Sequence, residues 1–309
     1  MTLAPGMSWI DLQFMGRPHT IATAVIGTPG EVALIDPGPA TCLPALELGL
    51  QRQGFLLSDV THLLLTHIHL DHAGATGTIV RRHPHVKVFV HDRGAPHMAD
   101  PTKLVESATH LYGDRMALLW GEVAAVPTGN LNILKGGERL AAAGRAFEVK
   151  YTPGHASHHV SYFERSSGVA FIGDTAGVCI DQGYVLPPTP PPDIDIELWT
   201  ESVTGIEAWG PATLFLTHFG PVTSVRPHLQ ALLENLRTFG GFVKDSLTEP
   251  GTDEERSARF AEQVRHELRR QMTEAKTESY GVAAPVETLW LGLARYWRKK
   301  LAAAPSAVS

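Results

Sequence analysis

The chain has 309 residues, 43% hydrophobic and 19% charged, with a formal net charge of −6 at pH 7. That length can bury a full core, as one large domain or one domain with an appendage, and the charge offers nucleic acid or anionic membranes no electrostatic invitation. No stretch approaches the ~18 apolar residues of a membrane span, Met1 to Asp11 lacks the basic and apolar regions of a signal peptide, and two cysteines are too few for a disulfide framework, so a cytoplasmic protein is expected.

In chain order, Thr20 to Ile26 and Glu31 to Asp36 read as strands around a Gly27–Gly30 turn. A helix rich in leucine (Leu43, Leu46, Leu48, Leu50) follows and stops at Gly54, before the apolar strand from Val60 to Leu65. A helix from about His72 to Arg82 and a strand from Val86 to His91 continue the alternation of a layered fold of strands and helices. Thr102 to Trp120 has helical spacing. Short strands at Leu131–Leu134, Arg139–Ala142, Ala146–Tyr151, Val160–Phe163 and Val169–Ile172 suggest a run of hairpins. The prolines between Pro187 and Pro192 cannot pair in a sheet and suggest an extended surface loop. Beyond His218 the chain turns helical, with stripes at Leu229, Leu232, Leu236, Phe239 and Val243, at Phe260, Val264, Leu268 and Met272, and at Leu289, Leu293, Tyr296 and Trp297.

Chemistry is densest at His67-Ile68-His69-Leu70-Asp71-His72, where an apolar strand gives way to a turn. In an extended segment, side chains two apart share a face, which aims His67, His69 and Asp71 at one point, with His72 at the start of the next helix. A density of imidazole and carboxylate this high is metal-ligand chemistry. His62, His83, His85, His91 and His97 lack ligand spacing and read as surface or satisfied core residues, and Cys179 as an inert buried thiol. Histidine and aspartate recur after apolar strands at Thr152-Pro153-Gly154-His155, Gly173-Asp174 and Thr217-His218.

With these motifs in this order, and Leu34-Ile35-Asp36-Pro37-Gly38 ahead of them, the chain resembles the metallo-β-lactamase-fold hydrolase superfamily, in its glyoxalase II and lactonase-like branch, from about Trp9 to Pro221. The resemblance implies an α+β fold, a four-layer αββα sandwich spanning residues 1–222, with 223–309 as a C-terminal helical extension that covers the site or forms a homodimer interface. It also implies two metal ions: His67, His69 and His155 on one, Asp71, His72 and His218 on the other, and Asp174 bridging them. Asp36 would orient the ligand loop, and His159 would hydrogen-bond structurally. The donor set suits two Zn²⁺ per chain, and Fe or Mn would accept it. A metal-bridging hydroxide, positioned by Asp71, would then cleave a small ester, thioester or lactone. The alternatives are a mononuclear-iron sulfur dioxygenase of the same fold and a non-catalytic metal-binding module.

Other features narrow the reading. The 44 residues from Asp174 to His218 leave no room for the cap domain of the nucleic-acid-processing members. Lactonases of the family often carry a tyrosine three residues after the bridging aspartate, where this chain has Gly177. Tyr112, Tyr184 and His158 are the candidate substrate-binding residues, His158 as a proton donor to the leaving group. Ser157 lacks the Gly-x-Ser-x-Gly setting of a nucleophile. Arg265, Arg269, Arg298 and Lys299 read as a solvated helix face.

Overall fold

The computed structural model describes residues 1–28 and 30–303. An antiparallel meander comes first: β1 (Thr2–Ala4), β2 (Met7–Asp11), β3 (Ala22–Thr28) and β4 (Glu31–Ile35). Helix α1 (Leu43–Arg52) leads to β5 (Val60–Leu64), and α2 (Leu70–Ala73) with α3 (Thr76–Arg82) leads to β6 (Lys87–His91). Then α4 (Ala95–Ala99), α5 (Thr102–Tyr112) and α6 (Met116–Leu119) precede β7 (Leu131–Leu134). From β4 to β7 the strands are parallel and complete a sheet ordered β1 through β7.

A second sheet holds β8 (Arg139–Ala142), β9 (Arg145–Tyr151), β10 (Val160–Glu164), β11 (Val169–Phe171), β12 (Thr213–Leu216) and β13 (Gly220–Val222), in the order β13-β12-β11-β10-β9-β8. Its neighbours are antiparallel except β11 and β12, which are joined through the crossover helix α7 (Ile196–Glu207). Helices α8 (Val225–Ser246), α9 (Asp253–Gln271), α10 (Glu274–Ala283) and α11 (Val286–Ala303) follow. The start of α9 is capped by Thr252 and Glu255 in a reciprocal box, with acidic residues in its first turn and arginines in its last, all favourable to the helix dipole.

Successive residues of the central strands face opposite cores. Ala33 and Ile35 of β4 join Ala24, Phe147, Tyr162, Phe171 and Phe215 between the two sheets, while Val32 and Leu34 face α1 and α3 on the outside. A third core unites the outer face of β10 to β12 with α7 and the helices α8 to α11 around Trp199, Leu232, Tyr280 and Trp290. Two sheets face to face with helices outside each make the four-layer αββα arrangement. The facing sheets are stitched at one end: Thr66 O accepts from Val160 N at 2.8 Å, Thr217 O from Ala22 N at 2.8 Å, and Leu65 O from the buried Tyr162 hydroxyl at 2.7 Å.

Several local expectations are corrected. The helix expected from His72 to Arg82 is two short helices parted at Gly74 and Ala75. β7 is not part of a hairpin run: it pairs in parallel with β6 in the first sheet, and the chain crosses to the second sheet through Gly136 and Gly137. Gly136 has φ +92°, and a Cβ there would lie 2.5 Å from Tyr151 N, so this crossing needs glycine. The helical stretch from Thr102 breaks at Gly113. The proline run is a surface loop only in its second half, since Pro187, Pro188 and Thr189 are buried while Pro190 and Pro191 are half-buried and Pro192 is exposed, and α10 was not anticipated. The tail from 304 to 309 lies outside the described residues.

Candidate metal centre

Every candidate ligand sits just beyond a strand's end, on the stitched edge of the sandwich. His67 and His69 follow β5, Asp71 and His72 lie in α2, His155 lies between β9 and β10, Asp174 follows β11 and His218 follows β12. A strand end is a fixed platform whose last side chains need no partner in the ladder, so polar groups placed there converge on a cleft.

The donors converge in two groups. In one, ligand atoms of His67, His69, His155 and Asp174 lie within 4.8 Å of one another, and in the other those of Asp71, His72 and His218 do. Asp174 lies between them, with Oδ2 at 3.4 Å from His155 Nε2 and Oδ1 at 3.2 Å from His72 Nε2 and 3.6 Å from His218 Nε2. The strand-face expectation that joined Asp71 to His67 and His69 is thereby corrected. The chain leaves its extended path at Leu70, and the helix carries Asp71 to the second group, with Oδ2 at 3.3 Å from His218 Nε2.

Outer hydrogen bonds determine which nitrogen of each ring faces inward. His155 Nδ1 donates to Pro188 O at 2.9 Å, His218 Nδ1 to Thr20 O at 2.7 Å and His72 Nδ1 to Asp36 at 2.8 Å. Because the Thr66 hydroxyl donates its one proton to Asp36, it accepts from His67 Nδ1 at 3.1 Å. Each of these rings therefore turns its Nε2 to the centre. There His67 Nε2 and His155 Nε2 each lie 3.0 Å from His69 Nδ1, and His218 Nε2 lies 3.2 Å from His72 Nε2. Imidazole nitrogens crowded to within 3.2 Å of one another, with Asp174 Oδ1 buried and without a hydrogen-bond partner, make a donor set that fits cations.

Electrostatics point the same way. Burial works against the Asp174 carboxylate, but His72, His155 and His218 outweigh it and hold its pKa well below the ordinary range. Burial, then the neighbouring His72 and His69, push His67 well down, and burial with His155 brings His69 to about 4. For His72 burial is again opposed, by Asp174, Asp71 and Asp36, which raise its pKa well above the ordinary 6.5. The centre thus draws in positive charge.

Fully buried, Asp36 accepts from Thr66 N, Thr66 Oγ1, His72 Nδ1 and Thr217 Oγ1, at 2.7 to 2.9 Å, and so ties the ends of β4, β5 and β12 to α2. Thr66 and Thr217 were missed, although the Thr-His pair at both sites was a visible signal. His159 packs its ring on His67 at 5.0 Å and holds Nδ1 against Thr152 and Thr175 at 2.9 and 3.2 Å. Gly173, at φ +42°, leaves room for this stack, because a Cβ there would lie 2.5 Å from Thr66 Oγ1 and 2.8 Å from His159 Nε2.

A cleft of 240 Å³ opens beside His69 and Asp71, and Tyr112 and His158 line it. Burial, then His69 and His159, push the His158 pKa well down, so at neutral pH it offers a hydrogen bond from a neutral ring and no acidic proton. Tyr184 does not reach this cleft. It packs half-buried on the core of the C-terminal helices. His97, set aside in the sequence as an ordinary histidine, is a lining residue, as are Arg93 and Lys103. Cys179 is buried, which raises its pKa to about 11 and leaves an inert thiol. Arg265, Arg269 and Arg298 pair with Glu287, Glu274 and Asp253 on the surface.

A family model described as the metallo-beta-lactamase superfamily matches residues 16–218. The chain belongs to this superfamily. Among curated proteins it is 29% identical over 182 residues to a metallo-beta-lactamase fold-containing protein of Sulfurisphaera tokodaii, covering 57% of this chain and 68% of the relative. It is 30% identical over 151 residues to a hydroxyacylglutathione hydrolase of Buchnera aphidicola, covering 49% of this chain and 45% of the relative, so less than half of that enzyme is matched. A solved metallo-beta-lactamase family protein from Thermus thermophilus superimposes with TM-score 0.70 at 23% identity, over 96% of this chain and 95% of the other. That likeness extends the shared fold into the C-terminal helices. Among the described residues no helix is long and apolar enough to cross a membrane.

Proposed function

We propose that the protein is a dinuclear metal-dependent hydrolase, with one ion held by His67, His69 and His155, a second by Asp71, His72 and His218, and Asp174 shared, and that it cleaves a small ester, thioester or lactone. The observation that carries this is the convergence of imidazoles, most with their outward nitrogens held by hydrogen bonds, on a carboxylate that faces both groups. Imidazole and carboxylate donors without a thiolate suit zinc, and Fe or Mn would accept them. Ions bound there would supply activation of a water at neutral pH and polarisation of the acyl oxygen.

The chain's own groups do the rest. Asp71 and His69 line the cleft and so meet the substrate, and Asp71, with a side chain 19% exposed, orients the attacking water through its carboxylate. Asp36 holds His72 against rotation, and Pro188 O does the same for His155. His158 presents its neutral ring to the leaving group. The relatives named hydroxyacylglutathione hydrolase support hydrolysis and, through the acylated thiol in that name, a thioester. Two free, buried cysteines support a reducing, cytoplasmic setting.

Elemental analysis of protein purified without added metal, run alongside a panel of thioesters, lactones and phosphodiesters, tests the reading. About two zinc per chain with hydrolysis of an acyl substrate is the expected result. One iron per chain with oxygen uptake on a persulfide would replace it with the sulfur dioxygenase, and bound metal with no turnover would leave a binding module.

A further inference from the structure

We propose that the C-terminal extension positions the metal ligands, with α10 acting on His218 through Tyr280 and Asp181 and α11 acting on His155 through Thr189, an inference that rests on the two-ion reading above. The ring of His218 is aimed by Thr20 O, which accepts from its Nδ1 at 2.7 Å, and its backbone is held from the other side by Cys179 N, which donates to His218 O at 2.6 Å. Both partners belong to strained loops. Gln13, Met15 and His19, in the loop that ends at Thr20, have φ of +48°, +56° and +61°, and Asp181 and Gln182, just beyond Cys179, have +51° and +55°. Residues other than glycine keep this conformation where their surroundings impose it.

Asp11 closes the base of the first loop by accepting from Gln13 N and His19 N, and α10 supplies the rest. Lys276 Nζ lies 3.1 Å from Asp181 Oδ2, and Asp181 Oδ1 accepts from His19 Nδ1 at 2.7 Å, so one carboxylate ties the two loops to each other and to the helix. Glu278 pairs with Arg17 at 2.8 Å. Tyr280, fully buried, accepts from Ile180 N at 3.0 Å and donates to Tyr184 O at 2.6 Å, which braces the loop closed by the paired Val178 and Leu186. Asp174 is held separately: Thr175 O accepts from Trp199 Nε1 of α7 at 2.9 Å, and Ala176 O from His228 Nε2 of α8 at 2.8 Å. A change at Tyr280 or Asp181 therefore reaches His218 and spares the shared carboxylate.

Helix α11 serves the first group in the same way. Pro188 O, which aims His155, is fastened by the next residue, where the buried Thr189 donates Oγ1 to Leu289 O at 2.9 Å. Gly292 of α11 comes so near that a Cβ there would lie 2.1 Å from Thr189 O. The outer partners of His67 and His72 are Thr66 and Asp36 of the sandwich itself, so the extension holds one imidazole in each group.

The test titrates Zn²⁺ into the chelator-treated full chain by competition calorimetry, where the unsubstituted chain is expected to take two ions. His155→Ala leaves the second group intact to be read, and His218→Ala the first. Tyr280→Phe removes one hydroxyl and keeps the ring. It is expected to weaken zinc about tenfold in the His155→Ala chain, the low end for a residue behind the ligands, and to leave the His218→Ala chain within about twofold. Asp181→Ala, at the surface, is expected to weaken zinc about threefold with the same selectivity, and keeps the α10 assignment testable if Tyr280→Phe does not fold. Thr189→Val is expected to show the reverse selectivity, about tenfold in the His218→Ala chain, and Thr189→Ser, which keeps the hydroxyl, to restore the affinity. Thermal melts confirm that the variants fold. Helices that merely hold the fold together would, when perturbed, weaken both groups alike or neither, and either result overturns the assignment. An unsubstituted chain that takes one ion would instead overturn the two-ion reading, whatever the variants do.

Discussion

The rim of strand ends that gathers the imidazoles and the wall of α5, α6 and the proline run that faces it are built on different principles. In the rim the polar atoms that face away from the centre are fixed by partners. Asp36 alone takes four hydrogen bonds, and the rings of His67, His72, His155 and His218 are each held by an outer acceptor. The wall is mostly apolar and held by packing, with Leu104, Leu111 and Tyr112 brought from α5, Trp120 from the end of α6 and Pro190 to Pro192 from another segment. Directional bonds place atoms for chemistry and tolerate no loss, whereas packing shapes a volume and tolerates exchange.

Substitutions should expose that contrast. Asp174→Ala, which removes the carboxylate facing both donor groups, is expected to lower hydrolysis by more than ~100-fold, the upper end of what a group one shell further out costs, and to reduce bound metal in elemental analysis. Asp36→Ala should cost ~10–100-fold in metal affinity by titration. It should also destabilise the fold in denaturant by about 1–3 kcal/mol for each buried donor left unpaired.

The apoprotein offers a signed test of the rim. His72 and His218 have pKa values raised above the ordinary 6.5, against their burial, by Asp174 and its neighbours. The stability they contribute is full below about 6.5 and is lost as pH rises through their folded values. Asp174 is depressed below 3.8, so its contribution is present above that value and fades as pH falls through the folded one. Chelator-treated protein should therefore melt highest near pH ~6.5: above it the contributions of His72 and His218 are lost, by up to ~1.4 kcal/mol per pH unit for each proton released, and below it His67, His69 and His158, whose pKa values are lowered first by burial, refuse protons that the unfolded chain binds. Protein reloaded with metal should not show the alkaline loss, and a flat alkaline limb in the apoprotein would contradict the assignment.

Smaller effects follow. Gly173→Ala should destabilise by about 1–3 kcal/mol, because its Cβ meets Thr66 and His159 in a backbone already at positive φ. Tyr184→Phe, away from the cleft, should leave kcat/KM unchanged and stability within ~0.5 kcal/mol. A large loss of activity there would blur the division between rim and wall.

The short-range motifs were legible because metal chemistry restricts side-chain type. His67 to His72, His155, Asp174 and His218 stand out as histidine or aspartate after an apolar run, and the strands before them show their period. What escaped is what distant segments decide together. Pro187 to Pro192 read as surface because proline cannot pair in a sheet, yet Thr189 Oγ1 donates to Leu289 O and Gly292 of α11 packs against Thr189 and Pro190, so the first half of the run is buried and lends Pro188 O to His155. β7 looked like part of a hairpin run because local pattern does not say which sheet a strand joins. Helix α10 went unseen because its apolar residues make no continuous stripe.

By itself the sequence determined the donor chemistry and its order, since imidazole, carboxylate and the apolar strands before them are properties of residue type and spacing. Tertiary structure decided the rest: Asp71 parts from His67 because a helix begins at Leu70, Asp174 lies between two groups because the two sheets are stitched together at that end, and the cleft is walled by α5 and Pro190 to Pro192 because these distant segments come to the same edge. Such contacts depend on how separate elements pack, and no local pattern carries that information.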